Sequence, residues 1–254
     1  METEEKFAKL RKFNVFMAML HFLQGVAMIW LSTEMKLPVM TSFLKFSQKT
    51  QTLVPDPKVW FELRLAFIIA LFLFLSSLAH FLISLPGINK WYNRNLAKGA
   101  NYARWIEYAF SSSVMIIVVS MLVGIYDISA LVPIFFANAS MILFGWMMEL
   151  HNQSTTKVNW TSFVFGCIAG VAPWIVIGIY LFSPGSESNP PTFVYWIFFS
   201  IFIFFNIFAI NQALQYKKVG PWKDYLFGEK VYIVLSLVAK SLLAWQVFAG
   251  TLRP

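Results

Sequence analysis

Apolar residues gather along this chain into seven long blocks separated by short polar stretches. Each block approaches the roughly 20 residues a helix needs to cross a hydrocarbon core at about 1.5 Å per residue. They fall at about 13–31, 59–85, 101–126, 128–148, 161–182, 192–216 and 231–252. Strand signals are missing inside them, and an open sheet in lipid would leave its edge amides unpaired, so the blocks predict helices. The expected fold is an all-α membrane protein, one seven-transmembrane-helix bundle occupying 1–254. The first block follows the charged stretch METEEKFAKLRKF, is too long for a signal peptide and lacks a small-residue cleavage site, so it is expected to remain as the first helix. The one long connection, 32–58, contains Pro38, Pro55 and Pro57. Structureless loops of that length are uncommon, and the alternation in LPVMTSFLKFS suits a short hairpin.

Composition supports lipid as the solvent. Of 254 residues 58% are hydrophobic and 13% charged, with 27 Phe and 10 Trp. A soluble domain carries about 25% charged residues, so soluble enzymes, disordered tails and disulfide-stapled secreted domains are excluded. Cys167 is the one cysteine, and no Cys/His group has zinc-ligand spacing, so no metal is expected.

The net charge of +8 is divided unevenly between alternate loops. Lys6, Lys9, Arg11, Lys12, Lys90, Arg94, Lys98, Lys157, Lys217, Lys218, Lys223 and Lys230 would share one side; Lys36, Lys45, Lys49, Lys58 and Arg253, with Arg64 at the border, the other. The positive-inside rule places the N-terminus in the cytoplasm, and the C-terminus and the 32–58 loop outside, in a multi-pass protein of the cell membrane. Basic inner loops facing anionic headgroups account for the charge without nucleic acid.

Four ionisable side chains lie deep within the blocks. Lys240 sits near the middle of VYIVLSLVAKSLLAWQVFAG, where an ammonium costs about 2.5–3.5 kcal/mol on insertion scales. Desolvation favours the neutral amine, a nucleophile toward aldehydes, so a Schiff base is one reading and a structural ion pair the other. Counted at 1.5 Å per residue from the expected cytoplasmic ends, His21 lies about 12 Å deep, His80 about 8 Å, Glu107 about 9 Å and Lys240 about 14 Å. Ser76 with His80, Glu107 with Ser111, His21 with Gln24 and Ser236 with Lys240 each share a helix face, so one polar pocket is the economical account. Glu107 is the candidate counterion, with an Arg104 to Glu107 pair as the alternative. His21 and His80 read either as proton acceptors or as neutral core histidines. Asn138 could bond across helices or touch a ligand. Pro133 and Pro173 read as kinks rather than sites.

Four stretches carry a resemblance: RWIEYAFSSSVMI (104–116), NASMILFGW (138–146), FGCIAG followed by PW (165–174) and YIVLSLVAKSLLAWQ (232–246). Together with a lysine in the seventh span and an acid in the third, they resemble the heliorhodopsins, across all seven spans and most weakly in the first outer loop. The resemblance implies all-trans retinal held as a protonated Schiff base on Lys240, with Glu107 as counterion and His21, Ser76, His80 and Ser236 near the linkage. It extends the retinal pocket to Tyr108, Ser112, Met115, Asn138, Met141, Ile142, Trp174 and Phe205. It also implies a homodimer acting as a light sensor, neither an enzyme nor an established pump, and inverted in the membrane relative to other microbial rhodopsins, in agreement with the charge count. Ion-pumping relatives usually carry acids where this chain has Ser236 and Val118, so no net transport is expected. A light-driven transporter or channel is the alternative, and a non-retinal membrane enzyme or scaffold with a structural Lys240–Glu107 pair is a third reading. The sequence does not identify the cytoplasmic signalling partner.

Overall fold

The computed structural model describes residues 2–183 and 190–254. Seven of its helices are long and apolar enough to cross a membrane. In chain order the elements are α1 (Glu2–Leu31), β1 (Lys36–Ser47), β2 (Thr52–Arg64), α2 (Leu65–Ser84), α3 (Pro86–Leu96), α4 (Tyr102–Leu122), α5 (Ile128–Asn152), α6 (Thr161–Phe182), α7 (Thr192–Lys217) and α8 (Tyr225–Val247), the last extended by a π turn over Phe248–Leu252. The seven long helices are α1, α2 and α4 to α8.

The bundle departs from the apolar blocks mainly at their ends. α1 begins in the charged N-terminal stretch because those residues have partners: Lys9 pairs with Glu5 one turn away at 2.6 Å, and Arg11 Nε donates to the Ser84 carbonyl at 2.8 Å. The second block starts too early, since its first residues, 59–64, belong to β2. They read as helix because VWF is apolar. In fact they complete an antiparallel hairpin that runs from Lys36↔Arg64 to Ser47↔Thr52 and bulges opposite Val39/Met40. With two strands, each is an edge strand, where Pro55 and Pro57 need no ladder donor. The hairpin expected in the 32–58 connection is therefore present but longer, continuing to Arg64, and it makes the bundle other than all-α.

Gly124, at φ 93, ends α4 four residues sooner than its block, because the left-handed turn is open to glycine. Asp127 then caps α5 by accepting from Ser129 N at 2.8 Å, and the Ser129 hydrogen bonds hold its carboxyl below the usual range. At the other face Asp224 caps α8 through Leu226 N at 2.9 Å, so α8 starts six residues before the seventh block. α3 was not anticipated; its Tyr92 is buried, which pushes the phenol pKa up.

The two halves of the bundle differ in polarity. Toward the hairpin, buried Met28, Leu65, Phe72, Ile116, Ile177 and Val247 belong to one apolar cluster. Toward the N-terminus, Asn14, His21, Ser76, Arg104, Glu149, Glu229, Ser236 and Lys240 are all buried. α4 and α5 approach closely at Gly145, where a Cβ would stand 2.5 Å from the Trp105 ring. That ring cannot swing freely, because its Nε1 donates to Glu149 at 2.6 Å. Gly145→Ala should therefore destabilise the bundle by about 1–3 kcal/mol, read as an earlier thermal transition by circular dichroism in detergent. An unchanged transition would show that Trp105 can yield.

Candidate functional site

α8 carries Lys240 fifteen residues beyond its first residue, about 22 Å along the helix axis. Its Nζ donates to Glu107 Oε1 on α4 at 2.8 Å and to Ser236 Oγ, one turn earlier, at 2.9 Å. Ser76 on α2 donates to the same Glu107 oxygen at 2.6 Å. Only 3% of the lysine side chain and 9% of the glutamate side chain are exposed. Three helices thus meet on one carboxylate, and the four polar residues form one connected group.

The histidines flank this group without a recorded bond to it. His21 and His80 stack with centroids 5.8 Å apart and planes 8° from parallel, and His80 Nδ1 lies 2.8 Å from Asn14 Oδ1. Among the described residues neither ring nitrogen of His21 has a hydrogen-bond partner, and both are buried. A neutral imidazole so placed keeps one ring nitrogen lone pair and one N–H unused. Gln24, which shares its helix face, is instead turned to Trp245 Nε1 at 3.0 Å.

From the lysine nitrogen a narrow slot leads between α4, α5, α7 and α8. Tyr108, Ser112, Met115, Met141, Ile142 and Phe205 line it, as do Ser111, Phe208 and Ala239. At Met141 and Phe205 the slot meets a second cavity of about 190 Å³ bordered by Gly166, Gly170 and Trp174. Trp174 is held by edge-to-face contacts with Phe198, Phe202 and Phe205. Asn138 lies on neither wall. Its Nδ2 donates to Ser112 Oγ at 2.8 Å and Ser113 Oγ at 3.1 Å, so it bridges α5 to α4.

Arg104 does not pair with Glu107. One guanidinium nitrogen donates to Glu149 Oε1 at 2.5 Å and the other to Glu229 Oε1. Both acids are 1% exposed. Glu149 also accepts from Asn101 N at 3.0 Å, Trp105 Nε1 at 2.6 Å and Tyr225 OH at 3.0 Å, and Glu229 accepts from Asn101 Nδ2 at 2.6 Å. The guanidinium carbon lies 4.3 Å and 4.0 Å from the Trp105 and Tyr232 ring centroids. Between this cluster and the lysine site is a cavity of about 30 Å³ touched by His80, Glu107, Arg104 and Glu229, room for about one water. Sequence reading missed Glu149 and Glu229 because each lies near a helix end, where an acid looks solvated. The available signal was Arg104, a buried-span cation with two unassigned acids on neighbouring spans.

The heliorhodopsin family pattern matches residues 10–252, nearly the whole chain. The chain belongs to the heliorhodopsin family. Comparison with curated proteins finds no match. Heliorhodopsins are retinal-binding, light-responsive membrane proteins, so membership implies a retinal chromophore. The residues fit that heliorhodopsin ligand: a single amine at the head of the slot, a carboxylate beside it, and aromatic and thioether walls continuing away from it.

Removing the guanidinium would strand two buried carboxylates. Arg104→Gln should cost about 3–5 kcal/mol, visible as lost yield or a large drop in the denaturation midpoint. A midpoint within error of the parent would contradict the paired state of Glu149 and Glu229.

Proposed function

We propose that the protein is a light sensor in which Lys240 holds all-trans retinal through a protonated Schiff base and Glu107 is the counterion. The observation that supports this most directly is the Lys240–Glu107 contact at the mouth of an apolar slot. When bound, retinal supplies the light absorption and the change of shape; the chain supplies what holds the charge and receives the proton. Glu107 stabilises a positive nitrogen at Lys240 because the surrounding dielectric is low and the pair is close. Ser76 and Ser236 fix the two ends of the contact. The His21–His80 stack and the adjoining water-sized cavity offer places for a displaced proton on the N-terminal side.

Net transport is not part of this reading. Toward the hairpin, the α4 segment VVSMLVGI and the α8 segment LLAWQVFAG hold no ionisable residue, and the surrounding core is apolar. A proton leaving Glu107 in that direction would find no relay. The protein is read as no enzyme and as a homodimer of the cell membrane with its N-terminus in the cytoplasm, which would turn the polar half of the bundle toward an intracellular signalling partner.

Apoprotein given all-trans retinal should become coloured, and Lys240→Ala should stay colourless. Glu107→Gln should absorb at longer wavelength, since a nearby carboxylate stabilises the positive ground state. An unshifted spectrum would remove Glu107 from the counterion role. Illuminated cells should leave the external pH unchanged with or without a protonophore; a protonophore-sensitive change would establish the transporter reading instead.

A further inference from the structure

The face of the bundle that carries α3 has a cavity of about 360 Å³ that the retinal reading does not use. That size falls within the roughly 300–1,000 Å³ of small-molecule pockets. Three separate turns ring it: Lys98 and Gly99 between α3 and α4, Thr155 and Thr156 between α5 and α6, and Lys218 with Lys223 between α7 and α8. Lys98, Lys218 and Lys223 thus line one cavity from turns far apart in the sequence, and all are exposed. Among the described residues none of the three is in an ion pair.

The floor is built rather than incidental. Gln215, 7% exposed, is wedged against Gly228, where a Cβ would stand 2.8 Å from its amide nitrogen. Its Nε2 donates to the Tyr225 carbonyl at 3.2 Å, while its buried Oε1 has no partner among the described residues. A buried acceptor without a donor is costly, and a hydroxyl or water seated beside Gln215 would satisfy it. Glu149, the one acid on the lining, is already bound to Arg104 and capped by Tyr225 OH. The charge accessible to a ligand is therefore the three ammonium groups.

We propose that this cavity binds a small anion bearing two or more phosphate groups, held by Lys98, Lys218 and Lys223, with a phosphate hydroxyl or bridging water donating to Gln215. Lysine acts as a point charge toward phosphate and needs no bidentate geometry, and three of them without carboxylate partners favour a multiply charged ligand over a monoanion. Soluble anions and lipid headgroups share this chemistry. The inference does not depend on retinal, because the cavity lies outside the slot and its occupancy can be read without colour.

The test is calorimetric titration of inorganic pyrophosphate into the full-length protein in phosphatidylcholine nanodiscs at low salt. One-site binding with a dissociation constant below about 1 mM is expected, weakened about tenfold or more by each of Lys98→Gln, Lys218→Gln and Lys223→Gln. Lys45→Gln and Lys49→Gln, on the hairpin, should leave it unchanged, and equal melting temperatures check that every variant is folded. A second arm uses phosphatidylglycerol nanodiscs and counts retained lipid by native mass spectrometry. Pyrophosphate bound in both lipids assigns a soluble ligand. Pyrophosphate excluded in phosphatidylglycerol, with one more lipid kept by the parent than by the triple variant, assigns a headgroup phosphate at the same lysines. No saturable binding in phosphatidylcholine, or binding undiminished in the triple variant, overturns the proposal.

Discussion

Lys240 Nζ and Glu107 Oε1 lie 2.8 Å apart with their side chains almost wholly withdrawn from solvent, and neither charge would be tolerated there alone. That contact constrains its surroundings. It needs donors and acceptors within reach, which Ser76 and Ser236 provide, and it needs helices α2, α4 and α8 in one register. The polarity of the bundle follows the same constraint: the buried charged residues collect on the N-terminal side of the pair, where they can satisfy one another, and the opposite side is mainly aliphatic and aromatic, its buried Ser113, Ser120 and Asn138 neutral and hydrogen-bonded.

The second charged centre obeys the same electrostatics with different stoichiometry. Arg104 serves two carboxylates, and four further hydrogen-bond donors come from Asn101, Trp105 and Tyr225 to Glu149 and from Asn101 to Glu229, while Asn101 Oδ1 caps α4 by accepting from Arg104 N. These residues belong to α4, α5, α8 and the turn before α4, so one buried group ties the N-terminal ends of α4 and α8 to the C-terminal end of α5. The small cavity touching Glu107 and Glu229 sets the two centres side by side without merging them.

Much of this was legible in the residues. Crossing helices show up as apolar runs because lipid leaves no other satisfactory home for backbone amides, and α6 starts and stops at the ends of its run. Lys240, Glu107, Ser76 and Ser236 could be grouped by depth and helix face because a rigid helix converts residue number into height. Partnering was harder to read. Arg104 has Glu107 one turn away in sequence, yet takes Glu149 and Glu229 from distant segments, a choice made by tertiary packing. Asn138 likewise disclosed its bridge to α4 only when the helices were placed. VWF at 59–61 looked helical because apolar content alone cannot separate a membrane entry from a strand, and the deciding partner, β1, lies some twenty residues upstream.

The hairpin has a mechanical consequence. Thr33 N bonds the Leu252 carbonyl at 2.8 Å, Met40 N the Tyr126 carbonyl at 2.9 Å and Leu65 N the Met35 carbonyl at 3.0 Å. The exits of α1 and α8 are thereby tied to each other, and the turn leaving α4 and the entry of α2 to the hairpin and the segment that leads into it. Rods fixed at one end can only splay at the other, so any tilt begun at mid-depth is levered into its widest swing at the face where α3 lies.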